Sequence, residues 1–492
     1  MKYIPYQKYL NRSAFFSLGI IFLLSILSFF HFNGLTYHDE GYILNSSLRI
    51  THGQIPYRDF DVVYTPLSFI VTAGFLKVFG ISIFTGRLAA LSISLLSLFA
   101  LYCILTLLTK NKTIIFLTLF VFVSWGPTHT NFPWPTMFAL CFFLYSLFFY
   151  LKGATVNKKN YFFIAGIMTI MTLFAKQNFG TGTLLVSLFS FWFLTVNNKK
   201  EMFLSYILGV LSAALAFLLF FVSTSSFDAF LHNIQLYTIQ RFIIERTLDT
   251  PFLYEGTWIS KLTKFIFYTS PLTISLIALF RVRKTKKNLF IIPLFCGMFY
   301  CLGIRPTTDY VHISPLIAVA CLSLAIIYLS LKDALAKKIY LFCIVSLIGL
   351  GLYTAYFSGY YKWNAPLQDN NTFLNDPRVN VSVTEQTAEE TEQLKIFIQG
   401  HTKLDDYIFV NYYAPFIYFL TDRRNVSPYD FVYPNQLTPD YQRTIVRSLK
   451  DKKVKIVVMN MMNEHEQSLI ADYVRKTYPT KTHIGGYILF TK

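Results

Sequence analysis

The chain has 492 residues, 54% of them hydrophobic and only 14% charged, with a formal net charge of +18. Soluble domains carry roughly 25% charge, which excludes an ordinary soluble enzyme. The positive excess sits in short clusters between apolar runs ("TKNKT", "KGATVNKKN", "NNKKE", "RVRKTKK", "LKDALAKK"). Such clusters mark cytoplasmic loops; nucleic acid as a partner would need one basic patch with interleaved aromatics.

In chain order, Lys2, Lys8 and Arg12 precede an apolar run over about 14–32. No small-residue cleavage site follows it, so it reads as a retained anchor running outward. The loop over about 33–86 is then outside. Its apolar segment 66–80, with Lys77 inside, is short for a span and reads as a helix lying at the interface. Ten further spans follow, at about 87–109, 113–125, 135–151, 161–175, 181–197, 202–223, 262–280, 288–303, 313–331 and 339–357. This alternation puts every basic cluster on the cytoplasmic side. If 66–80 spanned, all later loops would invert. The six cysteines fall in or beside apolar runs and read as buried free thiols.

The predicted architecture is a mainly α polytopic membrane protein with about eleven transmembrane helices over 1–357. It is multi-pass in the plasma (inner) membrane, with a cytoplasmic N-terminus. From about 358 to 492 the pattern turns polar, and helices alternate with strands. "EQTAEETEQLKIFIQGH" and "PDYQRTIVRSLKDKK" read as helices, "DDYIFVNY", "VKIVVMN" and "HIGGYILFT" as strands, and "NEHEQSLIADYVRKTY" as a helix. These lengths predict a small extracytoplasmic α/β domain with a partly parallel sheet. It has no Gly-rich phosphate loop.

With this topology the polar residues of the outer face come from distant parts of the chain. The first loop supplies His38, Asp39, Glu40, Tyr57, Arg58, Asp59, Asp61 and Tyr64. "AKQNFG" supplies Lys176 and Gln177, and "RPTTDYVHISP" supplies Arg305, Asp309 and His312. Ionisable groups at membrane depth are costly, so one site built from several loops is the economical reading. Each residue also has a structural reading. Asp39 suits a helix N-terminus, Lys176 a snorkelling interfacial cation, Arg305 and Asp309 an ion pair, and His312 a hydrogen-bonded core histidine.

The acidic pair after the first span, then "PYRDF", "YTPL" and "FG-x-S-x-F-x-x-RL", resembles the GT-C membrane glycosyltransferases. The nearest likeness is to the protein-O-mannosyltransferase and aminoarabinose-transferase group. "KQNFG", "RPTTDYVH" and "APFIYFLTDRRNVSPYDF" are similar to members of that group as well. The resemblance implies transfer of a sugar from a polyprenyl-phosphate donor to an acceptor hydroxyl on the outer face, with inversion. In that chemistry a carboxylate takes the acceptor's proton. Asp39 is the implied base and Glu40 its neighbour. Fixed cations stabilise the departing phosphate, a role for Lys176, Arg305 and Arg58. Tyr57, Asp59, Asp61, Tyr64, Gln177, Asp309 and His312 are the candidate substrate contacts. Some members hold a divalent cation (Mg or Mn) near the acid, for which His38 and Asp39 are the candidate ligands. The acceptor, whether protein, lipid or polysaccharide, is left open.

Two other classes fit a membrane protein with lipid-linked substrates. A lipid-linked oligosaccharide ligase or polymerase would carry its site in larger late loops. A transporter or flippase would carry ionisable residues at the bilayer midplane and broken or repeated helices.

Overall fold

A computed structural model describes residues 19–20, 22–239, 258–282, 287–303, 310–357, 367–411, 414–430, 437–461 and 468–492. The first helix, α1 (Phe22–His31), leads into α2 (Asp39–Thr51) and α3 (Leu67–Phe79). Then come α4 (Ile83–Leu108), α5 (Lys112–Trp125), α6 (Pro135–Val156), α7 (Lys159–Ala175), α8 (Gln177–Ser190), α9 (Lys199–Ser223) and α10 (Phe227–Ile239). The series closes with α11 (Trp258–Val282), α12 (Ile291–Gly303), α13 (Tyr310–Ser330) and α14 (Ala334–Phe357).

A helix thus lies at each of the eleven predicted segments. Among the described residues four of them, α4, α6, α9 and α14, are long and apolar enough to cross a membrane by length and composition. On α9, Leu204, Leu208, Leu211, Leu215, Leu219 and Val222 are all exposed. Their spacing is that of one helical face, and a row of exposed apolar side chains has lipid as its natural solvent. The turns between helices divide into two sets. At one end Asn111 reaches Tyr328, Asn197 bonds Asn157, and Thr195 bonds Asn288. The basic clusters at Lys110, Lys158, Lys199 and Lys337 belong to these turns. The first loop sits at the other end.

Segment 66–80 forms α3. It buries Leu67, Phe69, Thr72 and Leu76 and exposes Val78 and Phe79 beside Lys77, the pattern expected of an interfacial helix. The predicted span at 181–197 begins earlier, at Gln177, and leaves helical form after Ser190. Lys176 alone, in extended conformation, separates α7 from α8. The tight reversal works because Gly180 stands against the backbone of Leu173, where a Cβ would not fit.

Beyond residue 366 the chain continues as β1 (Thr372–Leu374), β2 (Val381–Val383), α15 (Glu385–His401), β3 (Tyr407–Asn411), α16 (Phe416–Thr421) and β4 (Arg424–Asn425). It ends with α17 (Pro439–Asp451), β5 (Ile456–Asn460), α18 (Leu469–Thr477), β6 (Thr480–Ile484) and β7 (Tyr487–Thr491). Strand order is β4-β3-β5-β7-β6, with β3 parallel to β4 and β5 and β7 antiparallel to both its neighbours. The partly parallel sheet was predicted. "HIGGYILFT", expected as one strand, is instead a hairpin that turns at Gly485–Gly486, with Gly485 at φ +54°. The antiparallel pair β1–β2 was not foreseen. The predicted helix over "NEHEQSLIADYVRKTY" forms from Leu469, and 462–467 lie outside the described residues.

Side chains alternate across this sheet with a period of two. Ile408, Val410, Ile456, Val458 and Leu489 join one apolar cluster, while Phe409, Val457, Met459, Ile488 and Phe490 join another under α17 and α18. The first cluster also contains Tyr37, Leu44 and Leu48, so α2 is a packing layer of the C-terminal sheet. Gly41 makes the close approach possible: a Cβ there would fall within 2.7 Å of the Cα of Phe416.

Candidate active site

The site is built around α2, whose first turn carries Asp39 and Glu40, the favoured end for acids against the helix dipole. Glu40 is fully buried. Arg87 of α4 grips both its oxygens, Nε to Oε1 at 2.7 Å and Nη2 to Oε2 at 2.8 Å, and the Thr36 N–H donates to Oε2 at 3.3 Å. The other Arg87 donors reach the carbonyls of His31, Asn33 and Gly34. Glu40 was expected in the catalytic pair, as the neighbour of the implied base. With both oxygens engaged and no exposure, it is the anchor that fixes α2 against α1 and α4. Asp39, one residue away and therefore turned about 100° around the helix, is half-buried at the surface.

The segment 62–66, part of the "YTPL" motif, joins this helix to Lys176. The Val63 N–H donates to the Tyr42 hydroxyl at 2.9 Å. On the other side the Gln177 amide donates to the Val63 carbonyl at 3.2 Å and accepts from the Thr65 N–H at 3.4 Å. The Thr65 hydroxyl ties the segment to the Leu173 carbonyl at 2.8 Å. Both ends of the Gln177 amide are therefore engaged with backbone. In this structure it holds the segment in place.

Lys176 is 2% exposed. Its Nζ donates to the Thr136 hydroxyl at 2.6 Å and lies 5.2, 5.4 and 5.9 Å from the ring centres of Tyr64, Phe179 and Trp134. His312, from the first turn of α13, stands edge-on to Trp134 with ring centres 6.5 Å apart. Tyr64, Lys176 and His312, predicted from three separate stretches, thus meet in one aromatic-walled cluster. Arg305 and Asp309 lie outside the described residues.

The "PYRDF" residues form a different group. Tyr57 is buried at φ 69°, its ring packed on Phe221 and Phe230 and its hydroxyl bonded to the Tyr64 carbonyl at 2.8 Å. Burial pushes its phenol well above the ordinary value. In this structure it braces the loop. Arg58 is half-exposed and bidentate to Asp59 at 2.8 and 2.9 Å. That hydrogen bonding holds the Asp59 carboxyl below its usual range. Arg58 Nη1 also reaches the Thr224 carbonyl at 3.4 Å, so in this structure the guanidinium is engaged with Asp59 and the start of the 224–226 turn. Asp61 accepts from Asn233 of α10, and its N–H donates to the Pro428 carbonyl at 3.0 Å.

A second contact with the C-terminal sheet lies further along α2. Arg49 and Ser46 hold the buried Asp430 at 2.7 and 3.0 Å. Beside them a cavity of about 450 Å³ opens between Asn45, Arg49 and His52 of the α2 region and Arg423, Arg424 and Asn425 at the β4 edge.

Among the described residues, no three His, Cys, Asp or Glu side chains gather to hold a metal ion. His38 and Asp39 alone make an incomplete donor set, so no step below is routed through a cation.

Tyr42, Trp134 and Thr136 were not singled out from sequence, and Arg87, the arginine of "FG-x-S-x-F-x-x-RL", was given no role of its own. Arg87 left a signal: a lone Arg at the head of an apolar run needs a buried partner. Trp134 left a weaker one, between two prolines in "NFPWPT".

No protein-family model matches the sequence, and no curated protein matches it. Among solved structures the chain is similar to ArnT from Cupriavidus metallidurans. The crystal structure bound to undecaprenyl phosphate has a TM-score of 0.64 and 12% identity, covering 97% of this chain and 98% of that one. The apo crystal structure gives 0.63 and 12%, covering 98% of each. Over nearly its whole length, the chain has the fold of ArnT.

Proposed function

We propose that the protein is an integral-membrane glycosyltransferase that moves a sugar from a polyprenyl-phosphate donor to an acceptor hydroxyl, with inversion. The observation that carries this reading is the seam at residues 63–65. It holds the helix of a half-buried acid, Asp39, on one side and a buried cation, Lys176, on the other. Undecaprenyl phosphate bound to ArnT supports the choice of lipid.

In the proposed reaction the acceptor oxygen attacks the anomeric carbon as Asp39 takes its proton. The bond from that carbon to the phosphate oxygen breaks, and the electron pair leaves with the lipid phosphate. Lys176 faces the growing negative charge from a site with little water, where a fixed cation has its largest effect. Arg305 and Asp309 keep the donor-phosphate and substrate-binding roles that the sequence resemblance implies, as does Asp61 its substrate-binding role, and His312 stands by Trp134 at the wall of the Lys176 cluster. Glu40, Tyr57 and Gln177 hold the frame. The basic turns favour the cytoplasmic side for the opposite end of the bundle, which supports an extracytoplasmic site and C-terminal sheet.

The test uses the purified full-length chain in lipid nanodiscs with polyprenyl-phosphate pentoses, aminopentoses and hexoses, following release of polyprenyl phosphate and the anomeric configuration of the product. The expected result is sugar release from at least one donor with inversion. Release from none would sink the reading, and a retained configuration would remove the single-displacement mechanism.

A further inference from the structure

The cavity between α2 and the β4 edge has about 450 Å³ of space, within the roughly 300–1,000 Å³ of small-molecule sites. Nothing in the proposed reaction uses it. Its walls are polar, and their charges are already answered. Arg49 is held by Asp430 and by the Gln54 side-chain carbonyl, both at 2.7 Å, and Arg424 by Asp405 at 2.6 Å. Arg423, 8% exposed, donates to the Thr402 hydroxyl and carbonyl and to the Thr421 carbonyl. The Asp422 carboxylate is taken by Arg378.

These bonds fix the walls before any ligand arrives, which lowers the cost of binding. They also give every guanidinium in the walls its acceptors, so nothing there calls for an anion. The groups left spare are of both kinds. Among the described residues the Gln54 Nε2 amide, the His52 ring and the second oxygen of Asp405 have no protein partner. A ligand that meets them must donate and accept in turn. A hydroxyl does both, whereas a phosphate dianion only accepts and an ammonium only donates. Leu404, 63% exposed, adds an apolar patch to the same cavity. Linked hydroxyls beside apolar C–H faces describe a sugar. A peptide is served less well, because the edge strand β4 is two residues long, too short a ladder for an added strand.

One helix carries both this wall and Asp39. Arg49 follows Asp39 by ten residues, about 15 Å along the axis of α2 and about 80° round it. A ligand that reaches from one to the other is several sugar rings long. We propose that the cavity is a carbohydrate subsite, holding the non-reacting sugar units of a neutral glycan acceptor whose reacting hydroxyl meets Asp39. This rests on the transferase reading above and deepens it by naming the acceptor class.

Asp405→Ala with Arg424→Ala removes an exposed pair worth about 0–1 kcal/mol, so the fold should hold, and the thermal midpoint checks it. His52→Trp narrows the cavity from an exposed position and serves as a second, independent variant. The full chain in lipid nanodiscs, free of glycoside detergent, would be titrated with tetrasaccharides of glucose, mannose, galactose and N-acetylglucosamine. Inorganic phosphate and tetra-alanine are the comparison probes, with calorimetry and saturation-transfer NMR as readouts. At least one tetrasaccharide should bind saturably, about tenfold more weakly in both variants at an unchanged midpoint. Neither comparison probe should displace it. No bound tetrasaccharide, or one held equally well by both variants, would overturn the inference. So would tighter binding of phosphate, which would make this an anion site, or of tetra-alanine, which would make it a peptide site. Sugar release from polyprenyl-phosphate donors, measured on the same preparation, separates the two readings. Release with no glycan bound would overturn this inference alone. Glycan binding without release from any donor would overturn the transferase reading and the acceptor role with it.

Discussion

Arg87 sits in the second turn of α4 and Glu40 in the first turn of α2, and neither side chain has any exposure. Two buried charges are tolerable together because each satisfies the other; removing one leaves the second uncompensated. Arg87→Met should destabilise the protein by about 3–5 kcal/mol, and Glu40→Gln should act in the same direction. Adding Glu40→Leu to Arg87→Met should recover part of that loss. Thermal unfolding in a single detergent measures all of these. Arg58 is the contrasting cation, exposed and already paired with Asp59. Surface pairs contribute about 0–1 kcal/mol, so Arg58→Ala should leave both stability and transfer close to wild type. The acidic pair was visible in the sequence, but its division of labour was not. Which of two adjacent carboxylates meets an arginine 47 positions later is a matter of helix rotation, and composition does not encode it.

Among the elements, α2 joins the helical bundle to the C-terminal sheet. Tyr37 bonds Thr391 at 2.7 Å just before the helix, Gly41 admits Phe416, and Arg49 holds Asp430. Gly41→Ala should force Phe416 away and cost about 1–3 kcal/mol, with a loss of transfer as Asp39 shifts; unfolding and activity measured on one preparation would check both. An unchanged protein would show that the docking seen at Gly41 has slack. Helix positions were legible because apolar runs are long. Helix ends were less so, as at α8, where a single extended residue replaces the expected loop. Short strands such as β1 and β2 carry too few residues for a period-two pattern to register. The β6–β7 hairpin did leave its mark in Gly485–Gly486.

For the whole molecule, the row of exposed apolar side chains on α9 and the gathering of basic turns at one end define an axis across a bilayer. Cysteine placed at Lys158, in a basic turn, and at Leu404, in the C-terminal region, should react oppositely in a cysteine-free background. A membrane-impermeant maleimide added to intact cells should label Leu404→Cys and spare Lys158→Cys; the reverse pattern would invert the orientation. The meeting of Tyr64, Lys176 and His312 was legible as a shared membrane face. The aromatic walls around Lys176 were not, since Trp134 and Phe179 look like ordinary apolar residues until the helices that carry them pack.

Transfer by Asp39→Asn is the most direct measurement. Asparagine keeps the size and polarity of Asp39 but is a far weaker base. The expected result is a loss of about 10²–10⁴-fold in sugar transfer from the polyprenyl-phosphate donor, with lipid-phosphate binding and thermal midpoint near wild type. Wild-type-like transfer by Asp39→Asn would contradict its assignment as the base.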